Sequence, residues 1–141
     1  MAYDSDNVFA RILRGELPCA KICEDAHTLA FMDIMPSVEG HALVVPKQSA
    51  ETIFDLSPDA ASALIRTTRN VAVAVGRALA CPGVMLVQLN GAAAGQSIPH
   101  VHFHVVPRWE GLDLKLHGRE QADPKALEAI AARIKAALDE A

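Results

Sequence analysis

Hydrophobic and polar residues along the chain recur with periods that change from segment to segment, and the periods predict the elements. Phe9, Ile12 and Leu13 recur at helical spacing behind Asp6, which predicts a short first helix capped by Asp6 and ended at Gly15. Thr28 to Asp33 reads as a strand stopped by Pro36, and His41 to Val45 as a second strand between Gly40 and Pro46. The clearest helix opens with Ser57 as N-cap, Pro58 at the first helical position and Asp59 in the positive first turn. Leu64, Ile65, Thr68, Val71, Ala72, Val75 and Leu79 carry it on, and Pro82-Gly83 ends it. Val84 to Leu89 is a mostly apolar strand, Gly91 to Gly95 a small-residue loop, and Val101 to Pro107 an alternating strand. The last helix starts at Asp123-Pro124, with Leu127, Ile130, Ile134 and Leu138 on one stripe. The strands at 28–33 and 41–45 are joined by too few residues for a parallel crossover. The class expected is therefore α+β, with a largely antiparallel sheet.

Composition narrows this picture. At 141 residues, 51% of them hydrophobic, the chain suits one domain spanning 1–141 with a real core. Aromatics are only 4%, so Ala, Val, Leu and Ile must build that core. A net charge of -4 argues against a nucleic-acid or anionic-membrane partner, though not against a small phosphate held by local donors. Cys19, Cys23 and Cys81 lack framework spacing, which suggests a reduced, cytoplasmic setting. The acidic start, Met1 to Asp6, has no basic-then-apolar signal pattern, and no apolar run approaches the ~18 residues of a membrane span.

Candidate chemistry concentrates in His100-Val101-His102-Phe103-His104. On a strand the three histidines share one face and Val101, Phe103 and Val105 the other, with neighbouring imidazoles ~7 Å apart along the face. One phosphate could then meet two of them. A solvated histidine face and a zinc site are the competing readings. Zinc fares worse, because ligands ~7 Å apart along a strand do not readily converge on an ion held at ~2.0–2.1 Å. Just upstream, Asn90-Gly91-Ala92-Ala93-Ala94-Gly95-Gln96-Ser97 adds glycines that let backbone N–H groups approach an anion, an amide and a rotatable hydroxyl.

Together these residues resemble the histidine triad (HIT) superfamily. His100-Val101-His102-Phe103-His104-Val105-Val106 is its full His-φ-His-φ-His-φ-φ signature, with φ apolar. The likeness extends through Phe31-Met32-Asp33-Ile34-Met35-Pro36, Gly40-His41 to Pro46-Lys47, and Asn90 with Gly95-Gln96-Ser97. It covers a core of about 6–108, leaving a C-terminal segment 109–141 with the final helix.

The resemblance implies a mainly antiparallel five-stranded sheet with two main helices, and a homodimer that joins two sheets into one. It implies hydrolysis at the α-phosphate of adenosine nucleotide conjugates such as phosphoramidates, with a dinucleoside polyphosphate hydrolase or a vestigial nucleotide-binding module as alternatives. His102 is the implied nucleophile, forming a nucleotidyl-histidine intermediate. His104 would donate to a phosphate oxygen, and His41 and His100 would orient His102 or line the pocket. Ser97 would stand near the leaving group, with Asn90, Gly95 and Gln96 beside the phosphate. Asp33 would hold the ribose, and Val8, Phe9, Ile12, Phe31 and Ile34 the base.

His104 stands where relatives specialised for nucleotidyl transfer often have glutamine, which favours hydrolysis. Some relatives hold a structural zinc with a Cys-x-x-Cys near the first helix, a histidine after the Pro-Lys turn and the first triad histidine. Here the first three positions are Asn7, Ala10 and Ser49, so neither a metal nor another cofactor is expected. His27 and His117 have no motif around them, and Trp109 and His117 lie in a stretch that could reach the site or a partner subunit.

Overall fold

A computed structural model describes residues 2–111 and 120–140. In chain order the elements are α1 (Val8–Leu13), β1 (Lys21–Glu24), β2 (Thr28–Met32), β3 (Ala42–Pro46), a 3-10 turn (Ile53–Asp55), α2 (Pro58–Leu79), β4 (Gly83–Gln88), a second 3-10 turn (Ala92–Ala94), β5 (Phe103–Arg108) and α3 (Pro124–Asp139). The strands form one five-stranded sheet in the order β1-β2-β3-β5-β4, with every pair antiparallel. The fold is α+β.

Alternation along β2 and β3 explains the layering. Ala30 and Met32, with Ala42 and Val44, face a core shared with α2 and α3. Leu29 and Phe31, with Leu43 and Val45, face the opposite side and pack with Phe9 of α1. Both faces are covered, so these two strands are buried at every position. That is why they read as continuous apolar runs. β5 lies beside β3 with Leu43 opposite His104 and Val44 opposite Phe103. Cross-strand partners point to the same face. His104 therefore belongs to the α1 side, and Phe103 and Val105 to the helical core.

Local chemistry sets the helices. Ser57 accepts from the Ala60 N–H, and Pro58 follows it. Asp123 caps α3 in the same way, with Pro124 next. At α1 the cap is Asn7, whose side chain accepts from the Ala10 N–H, and not Asp6. Asp6 instead donates its own backbone N–H to the Asp4 side chain.

Two further expectations change. The strand expected from Val101 begins only at Phe103. Pro99 lacks an N–H, His100 bonds back to the Ile98 carbonyl, and Val101 bonds to Ala50, so residues before Phe103 leave the ladder. Ile65, expected on the buried stripe of α2, is 48% exposed on its flank. Trp109 is described, whereas His117 lies outside the described residues.

Candidate active site

The site is built where three chain segments meet on the α1 side of the sheet: the turn between β2 and β3, the entry to β5, and the first residues with α1. His41, His100, His102 and His104 are all buried there. The rings of His102 and His104 are 4.9 Å apart, and those of His41 and His104 are 5.2 Å apart. This is tighter than the spacing expected for a flat strand. The reason is the break before Phe103, which frees the backbone at His102 from the pleat.

Hydrogen bonds assign a proton to each ring. The His102 Nδ1 lies 2.7 Å from the His100 carbonyl oxygen, which can only accept, so Nδ1 carries the proton and the lone pair sits on Nε2. His100 itself donates from Nε2 to the Pro46 carbonyl at 2.8 Å, and its Nδ1 accepts a short hydrogen bond from the Tyr3 hydroxyl. Burial pushes the His100 imidazole below its ordinary pKa, a stronger influence than the Pro46 carbonyl, which acts the other way.

A second chain runs through His41. The Ser37 backbone N–H donates to His41 Nδ1 at 3.0 Å, so the His41 proton is on Nε2. That N–H donates to His104 Nδ1 at 2.9 Å, and His104 accordingly carries its own proton on Nε2. The result is a complementary pair: the lone pair of His102 lies on Nε2, and His104 carries its proton on Nε2. His41 is thus partnered with His104. What fixes the His102 tautomer is the backbone of His100.

Asp33 sits beside this relay, buried, with Oδ1 accepting from Met35 N–H and Oδ2 3.4 Å from His41 Nε2. Potential ligand atoms of Asp33, His41 and His104 fall within 4.8 Å of one another. The donor set does not suit a metal, because a metal at His41 needs the Nε2 lone pair, and Ser37 holds the proton there.

The apolar positions divide. Phe9 and Phe31 are core residues, in edge contact at 5.5 Å, and Phe9 also meets the His102 ring edge-on at 4.8 Å. Ile12 is half-buried against the same cluster. Val8 and Ile34 are exposed, at 45% and 53%. In the 90–97 loop, Gly91 and Gly95 have φ of +92° and +102°, a conformation that suits glycine.

The loop amides are engaged within the protein. Gln96 turns inward, accepting from the Gly91 N–H and donating to the Glu51 and Ile98 carbonyls. Asn90 accepts from the Ile53 N–H and pairs with Gln88. Both side chains brace the loop. Of the four loop residues expected at the site, Gly95 and Ser97 are the exposed ones. Tyr3 joins the site without any signal in the sequence, since a single tyrosine among acidic residues carries no motif.

Comparison with known proteins places the chain in a family. The family model described as HIT domain matches residues 14–111. Adenosine 5'-monophosphoramidase hnt1 of Schizosaccharomyces pombe is 38% identical over 101 residues, covering 72% of this chain and 73% of the relative. A Hit-like protein from Bartonella henselae superposes with a TM-score of 0.91 at 36% identity, over 97% of this chain and 99% of that one. A Zn-bound histidine triad family protein from Mycobacterium smegmatis superposes with a TM-score of 0.84 at 32% identity, over 96% and 94% of the two chains.

That last relative makes zinc worth testing against the residues present. Of the positions the resemblance points to, Asn7 is occupied as the α1 cap and Ala10 offers no donor. Ser49 offers only a hydroxyl, and both nitrogens of His100 are hydrogen-bonded. These residues do not fit a zinc ion.

Proposed function

The chain belongs to the HIT domain family, and on that premise we propose that it hydrolyses purine nucleotide conjugates at the α-phosphate, adenosine phosphoramidates first among them. The observation that carries the reading is the bond from His102 Nδ1 to the His100 carbonyl, which directs the lone pair to Nε2. A neutral imidazole so oriented is a nucleophile near neutral pH.

In the first step Nε2 attacks phosphorus, the P–N bond to the leaving amine breaks, and the amine nitrogen takes a proton from solvent as it departs. Water then attacks the nucleotidyl-histidine; its oxygen bonds to phosphorus and gives a proton back to solvent, the P–Nε2 bond breaks, and the monophosphate leaves with the imidazole restored. His104 Nε2–H donates to a non-bridging oxygen as charge builds there, a contribution of about 10²–10³ in rate for one such donor. Ser97 stands on the leaving-group side. Asp33 takes the ribose hydroxyls, and the exposed Val8 and Ile34 flank the base. A homodimer formed through the outer edge of β4 completes the reading.

The relative named as a monophosphoramidase supports the choice of leaving group. Steady-state kinetics with an adenosine phosphoramidate and a diadenosine polyphosphate tests it. The expected outcome is a higher kcat/KM for the phosphoramidate. A preference for the polyphosphate would replace it with polyphosphate hydrolysis, and turnover of neither would leave a binding module.

A further inference from the structure

We propose that Tyr3 is a positioning residue for the histidine triad, acting through a hydrogen-bonded tether that joins α1 to β3 by way of His100. The inference rests on the hydrolase reading only for its kinetic consequence; the tether itself is a matter of geometry.

The tether begins at Asn7. Its Oδ1 caps α1 through the Ala10 N–H at 2.9 Å, and its amide donates to the Tyr3 hydroxyl at 2.8 Å and the Asp4 carbonyl at 2.7 Å. The Tyr3 hydroxyl, accepting from Asn7, passes its own proton toward His100 Nδ1. His100 passes its Nε2 proton to Pro46 at the end of β3. The two ends determine the direction of every bond between them, because the amide nitrogen only donates and the carbonyl only accepts.

The Tyr3 ring also packs edge-on against the His100 imidazole, with centroids 5.7 Å apart. The path therefore joins α1, the first triad histidine and β3. Asn7 is both the cap of α1 and the donor at the head of the tether.

The consequence for the reaction follows from one more bond. The His100 carbonyl is the group that holds His102 Nδ1–H. Anchoring the His100 ring at both nitrogens limits rotation of that residue, and so keeps its carbonyl aimed at His102. Loss of the tether should therefore act on the orientation of the nucleophile and appear in kcat, with binding little changed.

The test pairs Tyr3→Phe with Asn7→Asp. The first keeps the ring and deletes the hydroxyl. The second keeps a capping oxygen but sets an acceptor against Tyr3, drawing its proton away from His100. Ring-nitrogen NMR of the wild-type protein and both variants reads the tautomers of His100 and His102 without any need for turnover. Kinetics with an adenosine phosphoramidate are measured on the same samples.

The expected result is a shifted His100 Nδ1 signal and a broadened His102 signal in both variants, kcat lower by about tenfold, and KM within about twofold. Unchanged ring-nitrogen signals in Tyr3→Phe would overturn the tether, whatever the kinetics. Shifted signals with unchanged kcat would overturn the positioning role. Wild-type protein with no turnover would count against the hydrolase reading and leave the NMR result to judge the tether alone. Chelation of the wild-type protein should leave its thermal midpoint unchanged, and a fall in the midpoint would contradict a metal-free tether.

Discussion

Each of the four buried histidines carries its proton on a nitrogen chosen by a neighbour, and in three cases that neighbour is a backbone group: the Ser37 N–H, the Pro46 carbonyl and the His100 carbonyl. Side-chain identity made the triad legible in the sequence, because three alternating histidines beside a glycine loop are a pattern that an ordinary strand has no reason to carry. The tautomers were not legible, because backbone partners leave no trace in residue type. The same holds for Tyr3 and for the inward turn of Gln96. His100 also leads to a stability prediction. Its folded pKa lies below the ordinary value near ~6.5, so the unfolded chain takes up the proton first as pH falls. The contribution is fully present above about pH 6.5 and is lost as pH falls below it toward the lowered folded value. Urea titrations from pH 8 to pH 5 should show stability declining on the acid side, and His100→Gln should show a shallower decline. An equal slope in both proteins would contradict the assignment.

The long elements announced themselves through caps and period: α2 and α3 open where Ser57-Pro58 and Asp123-Pro124 said they would. β1 was missed. It is a four-residue edge strand with a bulge between Lys21 and Cys23, and Ile22 is its one buried residue, which is too little apolar pattern to read. The turn from β2 to β3 shows how an element positions the site. Gly40 has φ of +95°, and an added Cβ would stand 2.1 Å from the Leu79 Cδ1 and 3.2 Å from Pro107. The glycine therefore lets the turn close against α2 and β5 and delivers His41 to His104. Gly40→Ala combines an unfavourable backbone conformation with overpacking, each costing about 1–3 kcal/mol, so a loss of roughly 3 kcal/mol in chemical denaturation is expected. A loss below about 1 kcal/mol would mean that the turn relaxes freely.

At the scale of the whole molecule, the two sheet edges differ. β1 carries Lys21 and Glu24, which pair with each other, and Lys47 also reaches Glu24. Such charges discourage pairing with another chain. β4 has no charged residue from Gly83 to Gln88, pairs with β5 alone among the described strands, and leaves Leu86 43% exposed. Phe54 at 81% and Ile65 at 48% are further exposed apolar side chains in the chain before it. The proposed dimer therefore uses β4, and sedimentation at micromolar concentration should show a dimer that Leu86→Lys converts to monomer. A monomeric wild-type protein would contradict it. Among the described residues no helix is long and apolar enough to cross a membrane.

The central claim is that His102 attacks phosphorus, and the most direct measurement is to trap what that attack makes. Protein mixed with an adenosine phosphoramidate, quenched without acid and digested, should yield in the mass spectrum a peptide containing His102 that carries one adenylate. His102→Ala should yield no adduct and no turnover. Full turnover by His102→Ala, or an adenylate mapped to another residue, would contradict the account.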